Sequence, residues 1–310
     1  MVNTFSPAYQ FPARHEPLPA APAPFRYAAP PGIALVRLKF RLLAALSTEW
    51  AFREAWRLFC TPQRLPRRKW EHAALATARA FRVPFGPGAL AAYEWNPQGR
   101  RTVLLVHGWE HRAAFWGVMA DGLVRAGFRV VAFDGPAHGD SPGRRTTLPE
   151  FAGATQAVAD YLGTVWAVVG HSFGAATTAG LPVQFNQAGT GELPRLVLMS
   201  APADTPAVAR RFAELLQLPP RVLARMGRHI RALTGREAES FSLSQAAGQV
   251  RAARVLLLHD CQDEAVPFAD AQAVVRSWPG LEFQPTTGLG HNKIMRDAGV
   301  IRRIARFLEA

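Results

Sequence analysis

Lysine is almost absent from this chain. Lys39, Lys69 and Lys293 are the only three in 310 residues, and arginine supplies the other 33 cationic side chains. Cysteine is as scarce: Cys60 and Cys261 lie far apart in sequence, which excludes a disulfide-stapled secreted scaffold and any four-cysteine zinc site. No stretch approaches the ~18 uninterrupted apolar residues of a membrane-spanning helix. The opening MVNTFSPAYQFPARHEP has no early positive charge followed by an apolar core. No secretory signal is therefore expected, and the cytoplasm is the expected location. A chain this long buries enough surface to fold without a metal or disulfide staple.

Charge is unevenly spread. The formal net charge is +13, yet residues 1–80 alone carry 12 Lys+Arg against 4 Asp+Glu. A basic end points to an anionic partner, either nucleic acid or a membrane surface. No nucleic-acid motif accompanies it, so nucleic acid is not expected.

Residues 1–32 are rich in proline and alanine and read as an N-terminal arm. Residues 33–75 read as a basic helical extension, with one helix over 33–60 broken by Pro62 and Pro66. Its apolar positions (Ile33, Leu35, Val36, Phe40, Leu42, Leu43, Leu46) recur at helical spacing between Arg37, Lys39 and Arg41. Such a helix either packs on the main domain, the commoner case, or lies on an anionic membrane. Peripheral membrane contact through 33–70 is the corresponding partner expectation.

From residue 76 to 310 short β-prone runs alternate with helix-length segments, as in a mostly parallel sheet. Strands are expected at Phe81–Phe85 and Leu90–Trp95 (a hairpin around Gly86-Pro87-Gly88), Thr102–Val106, Arg129–Phe133, Val165–Val169, Leu196–Met199, Val255–Leu258 and, more weakly, Glu282–Gln284. Helices are expected at 113–126, 150–162 and 292–309. Residues 204–250 hold arginine-rich helical pieces and no strand, so they read as a helical insertion.

Chemistry concentrates at Gly170-His171-Ser172-Phe173-Gly174, between a buried strand and a helix start. A serine hydroxyl needs a base, and the base needs an orienting acid. Downstream, Asp263 follows a strand and His291, the last histidine, follows the next one; Asp260 and Glu264 compete with Asp263. The amides of Phe173 and of Trp109, in the loop after Thr102–Val106, are the expected oxyanion donors. His107 and His111 do not form H-E-x-x-H and are not expected to bind zinc. The loop Asp134-Gly135-Pro136-Ala137-His138-Gly139-Asp140-Ser141 reads as a tight structural turn beside the site.

These motifs, with Val266-Pro267 and Gly290-His291, resemble the α/β-hydrolase superfamily over roughly 76–310. The resemblance implies an eight-stranded, mostly parallel sheet with helices on both faces and a helical cap after the sixth strand, matching 204–250. It implies Ser172 as nucleophile, His291 as base, Asp263 as orienting acid, and Trp109 and Phe173 as oxyanion amides. Relatives with aspartate as nucleophile, the haloalkane dehalogenases and epoxide hydrolases, do not fit Ser172. One position departs from the pattern: the glycine frequent after the seventh-strand histidine is Asp260 here.

The expected function is a serine hydrolase acting on small-molecule esters or thioesters through an acyl-enzyme, with no metal and no organic cofactor. An acyltransferase or cofactor-free perhydrolase would use the same triad. A reading of another class is a membrane- or nucleic-acid-associated binding protein on a hydrolase scaffold. Cap arginines 210, 211, 221, 225, 228, 231 and 236 either face solvent or attract an anionic substrate.

Overall fold

The computed structural model describes residues 31–180, 194–246, 249–250 and 252–310. The arm expected over 1–32 lies, apart from Pro31 and Gly32, outside them. Eight strands form one sheet: β1 (Arg79–Phe85), β2 (Gly88–Trp95), β3 (Thr102–Val106), β4 (Arg129–Phe133), β5 (Ala167–His171), β6 (Arg195–Met199), β7 (Arg254–Asp260) and β8 (Glu282–Thr286). Their spatial order is β1-β2-β4-β3-β5-β6-β7-β8. Among the described strands β2 alone runs opposite to the other seven, so its pairings with β1 and β4 are antiparallel and the rest are parallel. The central strands are continuous Val/Leu/Ala runs because both of their faces are covered.

Helices α1 (Ile33–Leu46), α2 (Thr48–Phe59) and α3 (Lys69–Ala76) precede the sheet. After β3 come α4 (Gly117–Arg125), then α5 (Leu148–Leu162) and α6 (Phe173–Ala179) on either side of β5. Between β6 and β7 lie α7 (Thr205–Leu216), α8 (Pro220–Thr234) and the single turn α9 (Leu243–Ala246). The chain closes with α10 (Phe268–Ser277), the short α11 (Gly290–Lys293) and α12 (Ala298–Glu309). One core packs α5, α6 and α10 on one sheet face, with Phe151, Val158, Ala175 and Phe268. The other packs α4 and α12 on the opposite face, with Met119, Leu123, Ile304 and Phe307. A third joins α1 and α2 to α7 and α8, through Phe40, Phe52, Leu216 and Met226.

Several sequence expectations change. The helix expected over 113–126 starts as a 3-10 turn (Ala113–Trp116) before α4, and β1, β2, β7 and β8 run past their expected bounds. The helix expected over 33–60 is two helices. Ser47 adopts extended backbone between them, and its hydroxyl accepts from Trp50 N. The last helix, expected over 292–309, is broken in the same way by Asp297, which caps α12 through Val300 N at 2.9 Å. β5 begins two residues later than expected and runs on into His171. Trp166, just before it, still donates its N–H to Thr102 O and accepts from Arg195 N. Its ring is sandwiched between the Arg101 and Arg195 guanidiniums at 3.9 and 4.0 Å, and its Nε1 donates to Leu308 O.

Most cap arginines are tied down. Arg225 pairs with Glu49 of α2, Arg221 donates to Ala44 O, Arg211 pairs with Asp270, Arg210 with Asp204, Arg231 with Glu237, and Arg236 reaches Ser240 O. Arg225, Arg221 and Arg211 fasten helices together, while Arg210, Arg231 and Arg236 bond within a few residues of themselves, a division the sequence pattern alone does not reveal.

Gly122 tests the packing of α4 on α12. A Cβ there would overlap Ile301 Cγ2. Gly122→Ala gains at most ~1 kcal/mol of helix propensity but overpacks a closed interface, typically by 1–3 kcal/mol. We expect a net loss in urea unfolding, and a gain when the same change is made in an Ile301→Ala background, where room exists. A gain in both backgrounds would show that the two helices simply move apart.

Candidate active site

The site forms where the order of strands reverses. β4 lies on one side of β3 and β5 on the other, so the loops after β3 and β5 diverge and leave a crevice at the carboxyl ends. Ser172 sits in that crevice between β5 and α6, with φ 52° and ψ −118°. This is a conformation L-residues avoid, and it costs on the order of 1–3 kcal/mol. Crowding enforces the turn. A Cβ on Gly170 would lie 2.7 Å from Ala175 Cα, one on Gly174 would meet His107 O at 2.5 Å, and one on Gly108 would meet Ser172 Cβ at 3.1 Å. The Ser172 amide is pinned to Met199 O at 2.8 Å.

His291 follows Gly290, which has φ 59°. Its Nδ1 lies 2.8 and 3.0 Å from the two oxygens of Asp263. Because a carboxylate only accepts, Nδ1 carries the proton and Nε2 is left as the basic nitrogen. Burial would raise the Asp263 carboxyl, but the hydrogen bond from His291 and the Val266 amide hold it below the usual range. The competitors are otherwise engaged. Asp260 accepts from Thr286 Oγ1, Leu289 N and Gln262 N. Glu264 accepts the His291 amide at 3.1 Å and fills the space a Cβ on Gly290 would need, 2.5 Å from its Oε2. The Ser172 hydroxyl is hydrogen-bonded to none of the described residues, His291 included.

His171 links the two halves. Its Nε2–H donates to His291 O at 2.8 Å, and its ring stacks on His111 at 5.3 Å. The main chain of His291 is thereby anchored to the residue next to Ser172. The amides of Trp109 and Phe173 also have no acceptor among the described residues, and their rings meet edge to face at 5.2 Å.

Trp109 is aimed by the turn after β4. Glu110, at φ 60°, donates its amide to His138 Nε2 at 3.1 Å, and His138 Nδ1–H donates to Pro136 O. Gly135 N donates to His107 Nε2, and Asp134 accepts from Ala113 N and Asp140 N. Arg64 then clamps this turn through Ala137 O, Ser141 O and Gly143 O. Sequence reading placed Asp134 and His138 in a structural turn, but it missed His171, the grip of Glu264 on His291, and Arg64. Gly290 beside His291 was a signal for Glu264. Nothing local marks Arg64, whose partners lie over 70 positions away.

Among the described residues no group of three or more His, Cys, Asp or Glu side chains could hold a metal ion. No described helix is long and apolar enough to cross a membrane.

Residues 103–303 match the profile of the Alpha/beta hydrolase family. The chain belongs to that family. Solved structures agree on the fold. The Pyrococcus furiosus esterase Pf2001 superposes with a TM-score of 0.60 at 18% identity, covering 80% of this chain and 98% of that one. Est1E from Butyrivibrio proteoclasticus, with ferulic acid bound, gives 0.56 at 20%, covering 74% and 96%. A thioesterase domain from the curacin biosynthetic pathway gives 0.54 at 19%, covering 75% and 99%. No curated protein matches the sequence.

This family member keeps several histidines uncharged. Burial pushes His138 down to about 4 and His171 to about 3, and it holds His107 and His259 below the ordinary imidazole range. A histidine that is lowered on folding stabilises the protein above its unfolded pKa near 6.5, and that contribution is lost as pH falls toward the folded value. Between pH 6.5 and 5 a ring whose folded value lies near 3 or 4, as for His171 and His138, removes roughly 1.5 kcal/mol. Burial raises the Asp134 carboxyl to about 6, which has the opposite sign and offsets part of the loss. Calorimetry at pH 7.5 and 5.0 should show a marked fall in Tm on acidification. An unchanged Tm would mean that these rings are solvated.

Proposed function

We propose that this chain hydrolyses small carboxylic esters or thioesters through an acyl-enzyme on Ser172. The observation that carries the reading is the His291 imidazole held by Asp263 and anchored through its carbonyl to His171, next to a serine in a strained turn. Family membership and solved relatives named as esterases and as a thioesterase domain support it.

In this mechanism Ser172 Oγ attacks the acyl carbon while His291 Nε2 takes its proton. Asp263 keeps Nδ1 protonated and stabilises the imidazolium. The carbonyl oxygen becomes an oxyanion facing the Trp109 and Phe173 amides. Collapse expels the alkoxide or thiolate, which leaves with the proton from Nε2. Water then attacks the acyl-enzyme, giving its proton to His291, and the acid departs as Ser172 recovers a proton. These steps call on no metal or organic cofactor. The unpaired Ser172 hydroxyl is compatible with this, since catalytic hydrogen bonds often tighten only with substrate bound.

The test is hydrolysis of a p-nitrophenyl ester series from acetate to palmitate, with an acyl thioester alongside. Ser172→Ala should lower kcat by a factor on the order of 10⁶. Asp263→Asn should lower it by roughly 10⁴ with little change in KM, by leaving the base in the wrong tautomer. Activity that survives Ser172→Ala would discard the nucleophile assignment. A Glu264→Gln variant as inactive as Asp263→Asn would reopen the choice of acid.

A further inference from the structure

Helix α1 has two apolar faces, and among the described residues only one is covered. Phe40 and Ala44 are buried against α2 and the insertion helices. On the outer side Leu35, Leu38, Leu42 and Leu46 are 73%, 50%, 58% and 73% exposed, and Trp50 at the start of α2 is 56% exposed. Steps of three, four and four residues keep the four leucines on one stripe of the helix. Scattered exposed leucines are ordinary, whereas an unbroken stripe ending in tryptophan marks an interaction surface.

The border of this stripe identifies the partner. At 100° per residue, Lys39 falls on one edge and Arg41 on the other. Arg53 and Arg57 stand on the exposed side of α2, and beside them opens a cleft of about 700 Å³ that Arg145 also lines. The two nearby carboxylates only partly offset these cations: Glu54 is shared by Lys39 and Arg57, and Glu49 by Arg53 and Arg225, so the border keeps a positive balance. A second copy of this chain would bring the same cations face to face. Apolar side chains bordered by cations on long aliphatic stems instead match the boundary of an anionic bilayer, where leucines enter the acyl region and Lys and Arg reach the headgroups.

We propose that the outer face of α1, together with Trp50, docks this protein on the surface of an anionic lipid membrane. The helix lies in the interface and does not cross it. Packing on the fold and contact with a membrane are then properties of opposite faces of one helix. Deleting the extension is a poor test, because Arg64 and the Glu71–Arg112 ion pair tie this segment to the active-site turn and to the start of the helical layer after β3.

The test is flotation of the full chain with phosphatidylcholine vesicles, pure or containing 30% phosphatidylglycerol, at low and at 0.5 M salt. The wild type should float with the anionic vesicles, at least about tenfold more strongly than with neutral ones, and release in high salt. The pair Leu38→Asp and Leu42→Asp should abolish flotation. The milder pair Leu38→Ser and Leu42→Ser should weaken it, and both should retain the wild-type Tm, since these side chains contact solvent. Three results would overturn the proposal. One is a wild type that floats with neither vesicle, and another is an Asp pair that leaves flotation unchanged. The third is a dimer in light scattering that the Asp pair dissociates, with no flotation, which would make the face a contact between copies.

Discussion

The candidate site depends on the absence of three Cβ atoms. β3, β5 and α6 converge so closely that Gly108, Gly170 and Gly174 leave no space for a side chain on backbone facing Ser172, Ala175 or the end of β3. Only that close approach lets the chain reverse in a single residue after β5 and hold Ser172 at a positive φ. Everything else at the site refers to this crossing. The Trp109 loop leaves β3 beside it, His171 reaches from it to His291, and the reversal of strand order opens the crevice above it.

Around the crossing the protein places imidazoles where most cores place hydrocarbon. His107, His138, His171 and His259 are fully buried, and each has one ring nitrogen on a backbone group. As neutral rings they combine aromatic packing with a directional hydrogen bond, so they fill volume and also fix loops. The bond from Glu110 N to His138 is the clearest case, since it holds the loop that carries Trp109. Burial keeps these rings neutral, and neutrality lets His107 and His138 serve as donor at one nitrogen and acceptor at the other, whereas Nδ1 of His171 and of His259 has no partner among the described residues. His291 differs in having a carboxylate on one nitrogen.

The N-terminal helices are part of this architecture. α1 and α2 share a core with α7 and α8, the connecting segment clamps the turn after β4 through Arg64, and Arg112 pairs with the buried Glu71 of α3. A basic segment outside the family match therefore supports the loops that shape the crevice. Some of its cations both bind the fold and border the leucine stripe: Lys39 borders the stripe and also pairs with Glu54, whereas Arg64 binds only carbonyls of the fold. Composition alone cannot separate these roles, because arginine serves both purposes.

The sequence by itself determined the sheet. Thr102–Val106 and Arg129–Phe133 are apolar, β-branched runs, and only a strand covered on both faces has use for them. It also determined where the tight strand-to-helix turn must place its serine, because the spacing of Gly170, Ser172 and Gly174 is a local steric requirement. Local signals were weaker at Ser47 and Asp297, where a capping side chain interrupts a pattern that is helical on both sides. Tertiary structure alone decided which of Asp260, Asp263 and Glu264 meets His291. The three have the same chemistry within five residues, and only the path of the loop past β7 aims one at the imidazole, one at backbone amides and one at the amide of His291. The same holds for the arginines of the insertion and for α1. A helix pattern shows that a face is apolar, but whether another element covers that face depends on contacts between residues some 170 positions apart, which no local spacing encodes.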